Sequence, residues 1–151
     1  MNNQTESNPR LELIATKINQ SLADSPGPVS RWLNGTLLDV GYGYLKVKFL
    51  VREDMTNPMG ILHGGIAATI LDEMAGANTY FLGRENAFTT VNLNCDYLHS
   101  AKIGESIIAE STVIRAGNNI VHCECKITNE EGLVVAKCAT NLIKTSIKLS
   151  T

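Results

Sequence analysis

Any fold of this chain has to accommodate residues 64–82, GGIAATILDEMAGANTYFL. The spacing predicts one long helix from Gly64 to about Leu82. Ile66, Ala67, Ala68, Ile70, Leu71, Met74, Ala75, Ala77 and Tyr80 make it apolar on nearly every side, the mark of a helix surrounded by protein. The flanking sequence reads mostly as strands. A sheet with one apolar face, wrapped around this helix, satisfies both elements, and the small helical residues permit the close approach that wrapping requires.

The strands are read from alternation. In 44–52, Leu45, Val47, Phe49 and Val51 alternate with Tyr44, Lys46 and Lys48. A shorter strand precedes it near 34–40, across the turn VGYG. In 88–97, strict alternation places Val91, Leu93, Cys95 and Tyr97 on one face and Thr90, Asn92, Asn94 and Asp96 on the other. Strands at 105–115 and 119–128 flank the turn AGNN, and NEEG at 129–132 leads into a long strand at 133–145. Ahead of all these, Leu11, Ile14, Ile18 and Leu22 recur at helical spacing, which predicts a helix over 10–23 broken by DSPGPVS. Residues 1–9 read as a disordered tail and 10–151 as one domain. The short turns joining the last three strands imply an antiparallel sheet, so the class is α+β with about six strands.

Charge and composition exclude several functions. With 151 residues, 44% hydrophobic content and a net charge of −2, the chain can bury a core but presents no basic surface for nucleic acid. No apolar run reaches the ~20 residues of a membrane helix, and MNNQTESNPR does not resemble a signal peptide. Cys95, Cys123, Cys125 and Cys138 form no C-x-x-C pair. His122 points away from Cys123 and Cys125, so these read as reduced core cysteines of a cytoplasmic protein rather than metal ligands.

The chemistry concentrates in NPMGILHGGIAATILDEMAG, Asn57–Gly76. Gly64 and Gly65 leave a helix N-terminus, with its free N–H groups and partial positive charge, open to a ligand oxygen. That suits a carbonyl becoming an oxyanion, although the glycines could simply ease a loop-to-helix turn. Asp72 and Glu73 lie inside the helix, where an acid is costly unless paired, hydrated or functional. Asp72 follows Gly65 by seven residues, roughly 10 Å along the axis at 1.5 Å per residue, too far for one aspartate to serve a carbonyl held at Gly65. If both groups act on one substrate, the acid comes from a second subunit, as an antiparallel pair of central helices would provide.

The pattern N-x-x-G-x-x-H-G-G at Asn57, Gly60, His63, Gly64 and Gly65, with Asp72 nine residues after the histidine, resembles the hotdog-fold acyl-CoA thioesterases. The similarity runs through TTVNLNCDYLHSAKIGE and VIRAGNNIVHCECKITNEEGLVVAKCAT, covering about residues 30–145. It implies a hotdog fold, hydrolysis of acyl- or aryl-CoA, and dimers often paired into tetramers with the acid donated across the interface. It implies roles as well: Asp72 as general base or nucleophile, Gly65 with Gly64 as the carbonyl's donors, and Asn57 orienting the carbonyl or the water. His63 would support the thioester end and Thr90 the water. Taken alone, His63 would be a structural histidine, Asn57 a turn residue before Pro58, and Thr90 an ordinary strand residue.

Coenzyme A phosphates need cations, for which Arg84, Lys102, Arg115 and Lys144 are candidates, Arg115 beside AGNN foremost. Trp32, Met59, Ile61, Met74 and Phe81 are candidates for an acyl pocket. No metal or organic cofactor is expected, because no ligand cluster or nucleotide fingerprint occurs. Two rival readings share the scaffold: an acyl-CoA sensor without turnover, and an enoyl-CoA hydratase.

Overall fold

The computed structural model describes residues 7–150. The elements run α1 (Pro9–Ala15), α2 (Pro28–Leu33), β1 (Thr36–Gly41), β2 (Tyr44–Leu50), a 3₁₀ turn (Glu53–Met55), α3 (Gly64–Tyr80), β3 (Asn86–Tyr97), β4 (Ser106–Ala116), β5 (Ile120–Thr128) and β6 (Val134–Lys148). All strand pairings are antiparallel, in one sheet of order β1-β2-β4-β5-β6-β3. The central helix packs against five of the six strands.

Burial follows the alternation. Leu45, Val47 and Phe49 of β2, Ile107 and Ala109 of β4, Val121, Cys123, Cys125 and Ile127 of β5, and Ala136, Cys138 and Leu142 of β6 are buried. They meet Ala67, Ile70, Leu71, Met74 and Ala75 of α3. Each fully buried Leu or Ile contributes about 1.5–3 kcal/mol relative to exposure. At Gly35 an added Cβ would sit 2.5 Å from Val47 Cγ1 and 2.6 Å from Phe49 Cε1, so only glycine lets the chain enter β1 against this core.

Four expectations need correction. The predicted helix over 10–23 stops at Ala15: Asn19 takes a left-handed φ of 67°, and Ser21 bridges to Thr36 of β1. Ile14, Ile18 and Leu22 do all pack on the core, so their spacing reported burial and not helix. DSPGPVS does not merely break structure, because Pro28 begins α2 from the N-terminal position where its missing N–H costs nothing. Of the tail over 1–9, residues 1–6 lie outside the described residues, whereas Asn8 and Pro9 belong to the fold. The Asn8 Oδ1 accepts from Leu11 N at 3.2 Å and its Nδ2 donates to Phe81 O at 2.8 Å. Beside it, Arg10 donates to Arg84 O at 2.8 Å and lies over the Tyr80 ring, so α1 closes the C-terminal end of α3.

The fourth correction concerns α3 itself. Its core-facing side is covered, but the stripe through Gly65, Thr69, Glu73, Gly76 and Tyr80 is not buried within the protomer. Among the described residues this stripe stays half-buried to exposed, so the protomer alone does not enclose the helix.

Candidate active site

His63 is the N-cap of α3. Its Nδ1 accepts the Gly65 N–H at 2.9 Å, which places the ring proton on Nε2. Histidine is outside the usual set of N-cap residues, so no capping signal marks this position. The bond also means that one expected carbonyl donor, the Gly65 N–H, is held by a side chain that a ligand must displace. The Gly64 N–H has no protein acceptor among the described residues. Behind the cap, His63 N donates to Met55 O at 2.9 Å, tying the helix start to the 3₁₀ turn.

Asn57 organises the loop leading into the helix. Its Oδ1 accepts from Met59 N at 3.0 Å, and its carbonyl accepts from Gly60 N at 2.9 Å, with Gly60 at φ +73°. The turn role open to any Asn before Pro58 is therefore filled by Oδ1. The amide nitrogen has no protein partner among the described residues.

Asp72 sits half-buried on α3 and accepts from the Thr90 hydroxyl at 2.7 Å. Strict alternation predicts Thr90 on the face opposite Leu93, Cys95 and Tyr97. The register shows otherwise: Thr90 pairs with Leu142 and Asn92 with Asn141, leaving Val91 as an extra residue. This β-bulge turns Thr90 to the helix side together with Leu93, and re-aims the hydroxyl at the acid. Val91, the bulged residue, is exposed.

Glu73 is half-buried beside Asp72. Burial, and secondarily the Asp72 charge, raise its carboxyl above the ordinary value. The folded state therefore holds the Glu73 proton more tightly than the unfolded chain does. Ionisation costs stability as pH rises through the folded-state value, and the penalty is complete above it. Glu73→Gln is expected to melt at a higher temperature than wild type at neutral and alkaline pH. The difference should vanish as pH falls below the carboxylate range, which thermal melts across pH will check.

The remaining candidates separate. Arg84 donates to Ala116 O at 3.0 Å and Gly117 O at 3.2 Å, so it braces the β4–β5 hairpin. Met74 is core, and Trp32 lies under the Arg52 guanidinium. Arg115 instead lines a cleft of about 580 Å³ with Asn118, Asn119, His122 and Asn141. This cleft opens on the sheet face away from α3, where register aligns Arg115, His122, Asn141 and Asn92 across four strands. His122 Nδ1 lies 2.8 Å from Asn141 Oδ1. Among the described residues no group of His, Cys, Asp and Glu could hold a metal, and Cys123 and Cys125 are buried on the opposite face from His122. Tyr97, not among the candidates above, donates its hydroxyl to Gly64 O at 3.0 Å. An aromatic with a polar tip at the end of an edge strand was the available signal.

The sequence profile of the Thioesterase superfamily matches residues 59–136, from the loop before His63 to the start of β6. This chain belongs to that superfamily. It is 30% identical over 95 residues to acyl-coenzyme A thioesterase 13 of Homo sapiens, covering 63% of this chain and 68% of the human protein. The crystal structure of zebrafish thioesterase superfamily member 2 superposes with a TM-score of 0.74 at 27% identity, over 89% of this chain and 96% of that one. The PaaI protein of the E. coli phenylacetic acid degradation operon superposes with a TM-score of 0.80 at 15% identity, over 95% and 99% of the two chains. The six-stranded antiparallel sheet on one long helix is the hotdog fold.

Proposed function

We propose that this protein is an acyl-CoA thioesterase, cleaving an acyl- or aryl-CoA thioester to a free acid and coenzyme A. The observation that carries the reading is the Asp72–Thr90 pair, a helix carboxylate held by a hydroxyl that a bulge turns toward it. The name of the human relative supports the substrate class. The thioester oxygen takes the Gly65 N–H, with the Gly64 N–H and the Asn57 amide beside it, and displaces the His63 ring. Charge developing on that oxygen meets donors at the positive end of α3. Thr90 occupies Asp72 Oδ1, and Oδ2 has no protein partner among the described residues. In this reading Asp72 acts as general base: Oδ2 takes a proton from water, the hydroxide attacks the carbonyl carbon, and the CoA thiolate leaves. By the alternative route the same free oxygen attacks the carbonyl directly to form an anhydride.

One protomer holds two half-sites, with Gly65 and Asp72 roughly 10 Å apart along the helix axis. The uncovered stripe of α3 and the unpaired outer edge of β3 support a homodimer that joins the acid half of one protomer to the donor half of its partner. Pairing of dimers into tetramers is compatible with this arrangement. The Arg115 cleft is the proposed seat of the coenzyme A phosphates, with Arg115 as the cation. Four free thiols fit a cytoplasmic location, and among the described residues no helix is long and apolar enough to cross a membrane.

Free-thiol release from a panel of saturated acyl-, enoyl- and aryl-CoAs tests the reading. Turnover of at least one saturated or aryl thioester is expected. Hydration of enoyl-CoA with no thiol release, or binding without reaction, would replace it with one of the rival activities.

A further inference from the structure

Two side-chain hydrogen bonds join the central helix to the edge strand among the described residues. One is Thr90 to Asp72, and the other is the Tyr97 hydroxyl to the Gly64 carbonyl at 3.0 Å. The second falls at a chemically informative place. The carbonyl of Gly64 and the N–H of Gly65 belong to a single planar peptide unit and point in opposite directions. Fixing one fixes the other.

We infer that Tyr97 is a positioning residue for the carbonyl-binding N–H of Gly65. It acts through the shared peptide and does not touch the substrate. Three observations support this assignment. The Tyr97 backbone is anchored, because it pairs with Ala136 at the end of the β3–β6 ladder. The ring lies over Gly64: a Cβ built there would be 3.5 Å from Tyr97 Cε1 and 3.6 Å from Cζ, ordinary contact distances. Gly64 is residue N1 of the helix, so its own N–H has no intrahelical acceptor, and the Tyr97 hydroxyl adds a second donor to a carbonyl that the helix ladder already uses.

The hydroxyl does two things to that peptide. It stops the Gly64–Gly65 unit from rocking about the helix end, so the N–H keeps one direction whether His63 or a ligand oxygen accepts it. Donation to the carbonyl also draws electron density from the amide, which makes the N–H a stronger donor to an oxygen gaining charge. Such a gain is larger in the transition state than in the ground state, so it belongs to kcat more than to KM.

This inference rests on the reading of Gly65 as the carbonyl's donor. The test therefore pairs kinetics with an observable that does not need turnover. In Tyr97→Phe, kcat is expected to fall about three- to ten-fold, with KM and melting temperature close to wild type. In the same variant the Gly65 amide proton should move upfield in the NMR spectrum. Tyr97→Leu, which also loses the ring, should lower kcat at least as far. An unmoved Gly65 amide overturns the proposal whatever the kinetics show, and so does a Tyr97→Phe enzyme with wild-type kcat. If the wild-type protein releases no thiol from any thioester, the functional reading fails alone. The Gly65 resonance then still decides what Tyr97 does to the peptide.

Discussion

Replacing Asp72 with Asn is expected to lower thiol release by about two to four orders of magnitude while leaving the fold intact. The two halves of this expectation have separate causes. Asparagine is close in shape to aspartate, and its side-chain oxygen still accepts the Thr90 hydroxyl, so the contact between α3 and β3 survives. What it lacks is basicity: an amide cannot take a proton from water. A scaffold role for Asp72 predicts the reverse, a lower melting temperature with activity falling in proportion to the folded fraction. Melting curves beside kcat for wild type and Asp72→Asn distinguish the two. A variant that melts normally and still turns over at more than a tenth of the wild-type rate would remove Asp72 from the chemistry.

The elements of this fold were legible wherever one physical signal dominated. Period-two alternation located β2 and β5, each with one face on the core and one in water, and the turns AGNN and NEEG bounded β4 and β6. The small-residue run located α3. The features that failed are those that long-range pairing decides. Ile14, Ile18 and Leu22 are buried at helical spacing, but Ser21 pairs with a strand that begins at Thr36, and no local preference announces that bridge. The face of Thr90 was misread for the same reason. A bulge is a property of two strands in register, and Val91 is an unremarkable strand residue until β6 lies beside it. At the helix start, Gly-Gly was visible as an opening, while its occupation by His63 was not. The candidate site is thus least legible where local regularity breaks: an atypical cap and an extra strand residue.

Mixing two inactive variants should restore activity if the catalytic acid crosses the interface. Take Asp72→Asn, which lacks the base, and Gly65→Val, whose side chain starts from a Cβ 3.1 Å from His63 Cε1 and Nδ1 and so displaces the cap and crowds the carbonyl seat. Each homodimer carries two defective sites. In a heterodimer assembled across the interface, one site combines the wild-type Asp72 of one chain with the wild-type Gly65 of the other, and the second site collects both defects. Random exchange of subunits should then return roughly a quarter of the wild-type rate. If both groups act within one protomer, every site in every dimer is defective and the mixture stays inactive. The choice is between a substantial rate and none, so it does not depend on the residual activity of either variant. It also tests the physical basis of the assembly. Among the described residues the α3 stripe and the outer edge of β3 lie open side by side, and a second copy laid antiparallel on them is the arrangement the mixing experiment tests.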